Sequence, residues 1–231
     1  MNKLVEQAYS NQSYVYFDIE TIPCQDPAYL DALRCQVKAP ARYSKQESID
    51  KWLGENRERV ALEAMDKTSF DAGLGHVCAV SWAVNDGPIH SSCACELATE
   101  SVMLEMFLDF LPQVKSPVFV GHYAFGFDIP FITKRAVVLG VKLPPKLNWP
   151  RDPKAWDRGI NDTMTMWAGS RDKISMDALC KILGIEGKGD FSGSDVAAAW
   201  DAGEHEKISE YCDGDVIRTR KIHQRFLAVG W

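Results

Sequence analysis

The stretch Ser13-Tyr14-Val15-Tyr16-Phe17-Asp18-Ile19-Glu20-Thr21-Ile22 is dense in β-branched and aromatic residues and is closed by Pro23, which predicts a strand. Side chains alternate along a strand, so Val15, Phe17 and Ile19 share one face while Asp18 and Glu20 share the other. Two carboxylates spaced by two residues stand about 7 Å apart on that face. Like charges so placed are at ease only when solvated or when a cation sits between them. A strand end open to water and a cation site are both consistent with these residues alone.

Outward from this strand, residues 27–70 are more polar, and Ile49, Trp52, Leu53, Val60 and Leu62 recur at near-helical spacing, predicting a helix over 45–65. This segment reads as a helical insertion. Strands are predicted at 76–84 and 89–95, joined by the turn Asn85-Asp86-Gly87-Pro88. A helix over 99–111, a short apolar strand at 118–120 and a helix over 128–139 follow, bounded by Gly or Pro. Residues 143–159, with Trp149 and Trp156 among prolines, read as a loop. Helices over 175–183, 195–201 and 204–227 complete the chain, the first two separated by a Gly-rich segment. Strands alternating with helices are the grammar of an α/β fold.

Composition narrows the function. The 231 residues are 46% hydrophobic and 25% charged, as in ordinary globular domains, with a net charge of -6. Bulk charge therefore supplies no general attraction to phosphate or anionic lipid, and any nucleic-acid contact must be local. No apolar run approaches the roughly 20 residues a bilayer span needs, and the first 13 residues are too polar for a signal peptide. A cytoplasmic protein with no membrane partner is expected. The seven cysteines are scattered without a C-x-x-C pair, which fits reduced thiols and argues against structural zinc.

Along the last helix, Ile208, Tyr211, Cys212, Asp215, Thr219, Ile222 and Phe226 form one stripe, with Asp215 in its middle. Glu210 and Asp213 are expected on the surface. A buried carboxylate must be paired, protonated or bound to metal, so Asp215 is either one half of an ion pair or a ligand. Asp128 opens a helix just beyond a short strand. It is a helix cap or, since open α/β sheets bind ligands beyond strand ends, a further acid of a site.

The acids fall in the order Asp18, Glu20, Asp128, Asp215, with Tyr211 four residues before the last. In this the sequence resembles the DEDD superfamily of 3′-to-5′ exonucleases, in its tyrosine subclass. The motifs are Phe17-Asp18-Ile19-Glu20-Thr21, Phe127-Asp128 and Tyr211-Cys212-Asp213-Gly214-Asp215. Within it, the chain is similar to stand-alone proteins related to the exonuclease domain of family B DNA polymerases. Supporting stretches are Asp162-Thr163-Met164, residues 174–179 and Gly187-Lys188-Gly189-Asp190. The histidine subclass has His where this chain has Glu210, and the family's usual Asn is replaced by Tyr123.

The resemblance implies a ribonuclease H-like α/β fold, a mixed sheet flanked by helices, forming a single exonuclease domain over 1–231 with its insertion at about 27–70. It implies two Mg²⁺ or Mn²⁺ ions on Asp18, Glu20, Asp128 and Asp215, since hard oxygen ligands suit these ions. It further implies catalytic roles for these acids and Tyr211, and substrate contacts at Thr21, Tyr123 and Phe127. Lys188, in a Gly-rich turn, is a candidate for a phosphate contact or for ordinary turn chemistry. The expected reaction is release of nucleoside 5′-monophosphates from single-stranded DNA in replication or repair. The alternatives are the same chemistry on RNA and a catalytically silent nucleic-acid-binding module. Arg34, Lys38, Arg42 and Lys45 form a candidate phosphate track or a solvated basic face. Tyr123, Phe125, Trp149 and Trp156 are candidates for base stacking or for packing.

Overall fold

The computed structural model describes residues 12–144, 159–169 and 171–231. By contacts the chain divides into two units, one holding the described residues up to Glu20 and from Val77 onward, the other Thr21–His76. No helix among the described residues is long and apolar enough to cross a membrane.

The first unit is built on a five-stranded sheet in the order β3–β2–β1–β4–β5. Its strands are β1 (Ser13–Ile22), β2 (His76–Val84), β3 (Ile89–Cys93), β4 (Pro117–Gly121) and β5 (Ile160–Asp162). β1 runs parallel to β4 with Tyr16 opposite Val120, and β4 parallel to β5 with Phe119 opposite Ile160. β2 and β3 form an antiparallel hairpin. Asn85 makes their turn, adopting a left-handed φ of 50° that suits Asn, and its side chain accepts the Tyr14 N–H at 2.9 Å. The sheet is therefore mixed, flanked by helices, in the α/β class that the sequence predicts.

Parity along β1 explains what covers each face. Phe17 points to one side, where its ring lies 5.9 Å from that of Phe107 on the helix Glu100–Phe110 and 6.0 Å from Phe119. Tyr16 points to the other, packing with Ala83, Val120 and Val216 of the long helix His205–Ala228. Asp18 and Glu20 share the parity of Tyr16. They accordingly face the long helix, with no reversal of the chain required.

The unit's helices, numbered with those of the second unit, are α3 (Glu100–Phe110), α4 (Asp128–Leu139), α5 (Thr163–Ala168), α6 (Met176–Leu183), α7 (Val196–Asp201) and α8 (His205–Ala228). Arg135 of α4 grips Glu100 of α3 through Nε at 2.8 Å and Nη2 at 2.6 Å, and Glu100 also accepts the Val77 N–H at 2.8 Å. Both charges are buried, and this bidentate pairing offsets much of their desolvation.

The second unit contains α1 (Pro27–Gln36) and α2 (Gln46–Asp66), which pack together. Asp26 caps α1 by accepting the Ala28 N–H at 2.9 Å, with Pro27 at the first position. Arg34 binds Glu58 of α2 through Nε and Nη2 at 2.7 and 2.6 Å, and Asp31 through Nη1 at 2.6 Å.

Among strands and α-helices, three were not predicted as elements: α1, within the insertion; β5, which is three residues long; and α5, which Asp162 caps by accepting the Met164 and Thr165 N–H groups. The loop expected at 143–159, with Trp149 and Trp156, lies almost wholly outside the described residues.

Candidate active site

Three elements of the first unit converge at one end of the sheet. β1 supplies Asp18 and Glu20, the segment leading from β4 into α4 supplies His122, Tyr123, Phe127 and Asp128, and α8 supplies Tyr211 and Asp215. Together with Lys188, from the turn after α6, these side chains line a cavity of about 250 Å³. Eight of the nine site residues expected from sequence thus line one cavity: Asp18, Glu20, Tyr123, Phe127, Asp128, Lys188, Tyr211 and Asp215. Thr21 does not line it, and within its own unit the Thr21 hydroxyl donates to the Ser69 carbonyl at 2.9 Å.

Asp128 is not a helix cap. The start of α4 carries no side-chain cap, and Asp128 Oδ1 instead accepts the Ile19 N–H of β1 at 3.2 Å. Burial pushes its carboxyl up to about 7, against the pull of that hydrogen bond, with the charges of Asp162 and Asp215 adding to the rise. Asp18 and Glu20 are likewise pushed well above the usual carboxylate range, first by burial and then by Asp215 and the neighbouring acids. Such a cluster is costly to ionise without a cation.

One cation comes from the chain itself. Lys188 Nζ donates to Asp215 Oδ2 at 2.5 Å and to the Tyr211 hydroxyl at 2.9 Å, while Arg218 Nη1 donates to Asp215 Oδ1 at 2.9 Å. Burial pulls the Lys188 ammonium down, but the Asp215 carboxylate more than reverses this, so it stays charged. The turn holding Lys188 is fixed from two sides, by Asp177 accepting the Lys188 N–H at 3.2 Å and by Arg218 donating to the Gly187 carbonyl at 2.9 Å. A Cβ at Gly187 would meet Asp177 Oδ1 at 2.5 Å, so a larger residue there would have to displace the carboxylate that holds the Lys188 N–H. Tyr211 is pushed up to about 12 by burial and by Asp215, so its hydroxyl keeps its proton at neutral pH.

Carboxylate oxygens of Asp18 and Glu20 and the Cys212 thiol sulfur lie within 4.8 Å of one another. Oxygen donors whose ionisation burial and mutual repulsion oppose fit a hard divalent cation. Asp128 keeps one oxygen apart from its bond to Ile19, and Asp215 holds Lys188 and Arg218 on its two oxygens.

The Tyr123 segment is unusual in its backbone. Tyr123 adopts a φ of 68°, the left-handed region that Asn enters far more readily than Tyr. Its ring occupies the space beside Gly126, where a Cβ would meet ring carbons at 2.5 Å. Phe125 meets the ring edge-on at 5.6 Å and the Lys173 ammonium stands 4.7 Å from its centroid. His122 is held between Thr163 Oγ1 and the Ile174 carbonyl, each at 2.9 Å.

A family model described as "Predicted 3'-5' exonuclease related to the exonuclease domain of PolB" matches residues 74–229, more than half of the chain. The chain belongs to that family. The matched span contains Asp128, Tyr211 and Asp215, while Asp18 and Glu20 precede it and join the site through β1. Among solved structures, the family B DNA polymerase from the hyperthermophilic archaeon Pyrobaculum calidifontis is similar, with a TM-score of 0.56 and 17% identity over 93% of this chain. The chain spans only 24% of that polymerase, and at this identity the likeness establishes the fold.

Several features of this exonuclease family member escaped sequence reading. Arg218, three residues after Asp215 on α8, is a partner that helical spacing signals. Asp162 is buried and caps α5, which the Asp-Thr pair at the helix start signals. Asp213, expected as a free surface acid, is half-buried and accepts the Ser81 hydroxyl at 2.6 Å, pinning α8 to β2. Of the four cations read as a phosphate track or a solvated basic face, Arg34 is paired with Glu58 and Asp31.

Proposed function

We propose that the chain is a divalent-metal-dependent 3′-to-5′ exonuclease of the tyrosine subclass, releasing nucleoside 5′-monophosphates from single-stranded DNA. The observation that carries this reading is the shared cavity of Asp18, Glu20, Asp128, Asp215 and Tyr211, drawn from three separate stretches of sequence. Family membership supports nuclease chemistry, and the relation to a DNA polymerase domain favours DNA over RNA.

In this reading the four acids hold two Mg²⁺ or Mn²⁺ ions. Such ions, when bound, lower the pKa of a water and offset charge developing on the phosphate and on the leaving 3′ oxygen. The chain's residues do the rest. Tyr211 keeps its proton, and because Lys188 donates to its oxygen, the O–H is directed elsewhere and orients the attacking water or a phosphate oxygen. It acts by position, as a phenol held up to about 12 is a poor base at neutral pH. Lys188 has three N–H donors; two serve Asp215 and Tyr211 and the third is available to a substrate phosphate. Tyr123 and Phe127 flank the terminal nucleotide, and the Thr21 hydroxyl, which donates to the Ser69 carbonyl, keeps its acceptor lone pairs.

The test is digestion of 5′-labelled single-stranded DNA and RNA with Mg²⁺, Mn²⁺ or EDTA, beside Asp18→Ala protein. A metal-dependent ladder shortening from the 3′ end, lost in the variant, is expected, faster on DNA. A faster ladder on RNA would reassign the substrate. No ladder from folded wild-type protein would reject catalysis and leave a binding module.

A further inference from the structure

A second and larger cavity, of about 550 Å³, lies beside the active site in the same unit. Its size falls in the roughly 300–1,000 Å³ range of ligand sites. The two cavities share a wall: Phe191 lines this groove, Tyr211 lines the active site, and the two rings meet edge-on at 5.0 Å. Ala198 and Ala202 line it with single methyl groups. Asp190, Asp195 and Glu204 surround it with one cation, Lys207. Lys207 Nζ stands 5.0 Å from the Phe191 centroid and donates to Glu204 at 2.9 Å, while Asp195 is engaged by the N–H and hydroxyl of Ser192. Asp190 makes no hydrogen bond to the described residues.

We propose that this groove takes a second unpaired base of the strand whose end occupies the active site, preferring bases with an exocyclic amine; this rests on the exonuclease reading. Three acids against one lysine repel phosphate, so the strand's backbone stays outside and a neutral base enters. Phe191 offers it a stacking face, which the base takes from the Lys207 ammonium standing over the ring. Carboxylates only accept hydrogen bonds, so Asp190 suits the N4 amine of cytosine or the N6 amine of adenine, and not the carbonyl-rich edge of thymine.

Two measurements separate this proposal from the reading beneath it. The p-nitrophenyl ester of thymidine 5′-monophosphate carries one base and reports on the catalytic centre, while decamers of dC and dT also reach the groove. Wild-type protein is expected to show a KM for dC decamer about five- to tenfold below that for dT decamer. Ala198→Leu, which adds bulk to the lining from an exposed position, and Phe191→Ala are each expected to raise the ratio of dC-decamer KM to ester KM about fivefold or more. Anisotropy of labelled decamers in EDTA, where no metal supports cleavage, should show the same order of affinities. Ester hydrolysis with unchanged ratios and affinities in both folded variants would overturn the groove and leave the exonuclease reading intact. Absent hydrolysis of ester and decamers, with base-dependent binding that both variants weaken, would overturn catalysis and keep the groove.

Discussion

At Tyr123 a bulky residue holds a left-handed φ of 68° while its ring fills the space that a side chain at Gly126 would need. The two positions are therefore coupled. Gly126→Ala should drive the ring from its place between Phe125 and Lys173 and cost about 1 kcal/mol or more, whereas Tyr123→Asn removes the ring and eases the backbone. In the Tyr123→Asn background the same Gly126→Ala change should cost markedly less. Denaturant titration of the four proteins in this cycle checks it, and additive costs would show that the ring and Gly126 are independent. The acids make a second prediction at this scale. Asp128 is pushed from 3.8 up to about 7 by burial, and Asp18 and Glu20 rise for the same cause. The folded protein thus retains protons that the unfolded chain releases as pH climbs from about 4 to about 7, so the metal-free cluster costs stability progressively through that window. A divalent cation needs the deprotonated acids. The rise in Tm on adding excess Mn²⁺ should be small near pH 5 and reach about 3 °C or more near pH 7.5. An equal rise at both pH values would place the metal elsewhere.

Among the elements, α8 shows most clearly what sequence makes legible. Its stripe from Ile208 to Phe226 is periodic, and all the residues read onto it are buried, as is the acid Asp215 in its middle. Parity in β1 was legible for the same reason, because a repeating backbone geometry fixes where each side chain points. β5 was not, since three residues fall short of any periodic signal and their strand character comes from pairing with Phe119, Val120 and Gly121. Lys188 could be noticed in its turn, yet its meeting with Asp215, 27 positions later, is a product of tertiary packing. His223 lay outside the stripe as read, although it is fully buried on α8, with Nδ1 3.1 Å from the Tyr16 hydroxyl and Nε2 2.9 Å from Asn161 Nδ2. Burial lowers its pKa from 6.5 to about 4. Between these values the unfolded chain binds a proton that the folded protein refuses, so the stabilising effect is complete above about 6.5 and is lost as pH falls towards 4. Relative to His223→Gln, wild-type protein should lose on the order of 3 kcal/mol across that window. Urea titrations of both proteins at several pH values measure it, and parallel curves would mean that His223 titrates normally.

For the molecule as a whole, charge sets the terms on which a strand can be held. The chain carries a net charge of -6, Arg34 is neutralised within its own unit, and Arg135 is buried against Glu100. Among the described residues, Lys188 lines the active-site cavity, Lys173 stands over Tyr123, and Arg218 is engaged by Asp215 and the Gly187 carbonyl. On the exonuclease reading, these cations of the described residues supply little counterion release along a phosphate track. On that reading the strand is held largely at the acid cluster and through contacts to bases, which depend little on salt. With about two phosphates neutralised, the logarithm of affinity for a single strand should fall with the logarithm of salt at a slope near -1.4. Between about 50 and 200 mM KCl at fixed Mg²⁺ the KM for a DNA decamer should therefore rise about sevenfold. A rise of a hundredfold or more would require at least five neutralised phosphates and would reveal a basic track that the charges near the cavity do not supply. Lys173→Gln provides the internal control, since removing one of the two contacts should reduce the magnitude of the slope by about 0.7 while leaving the sign unchanged.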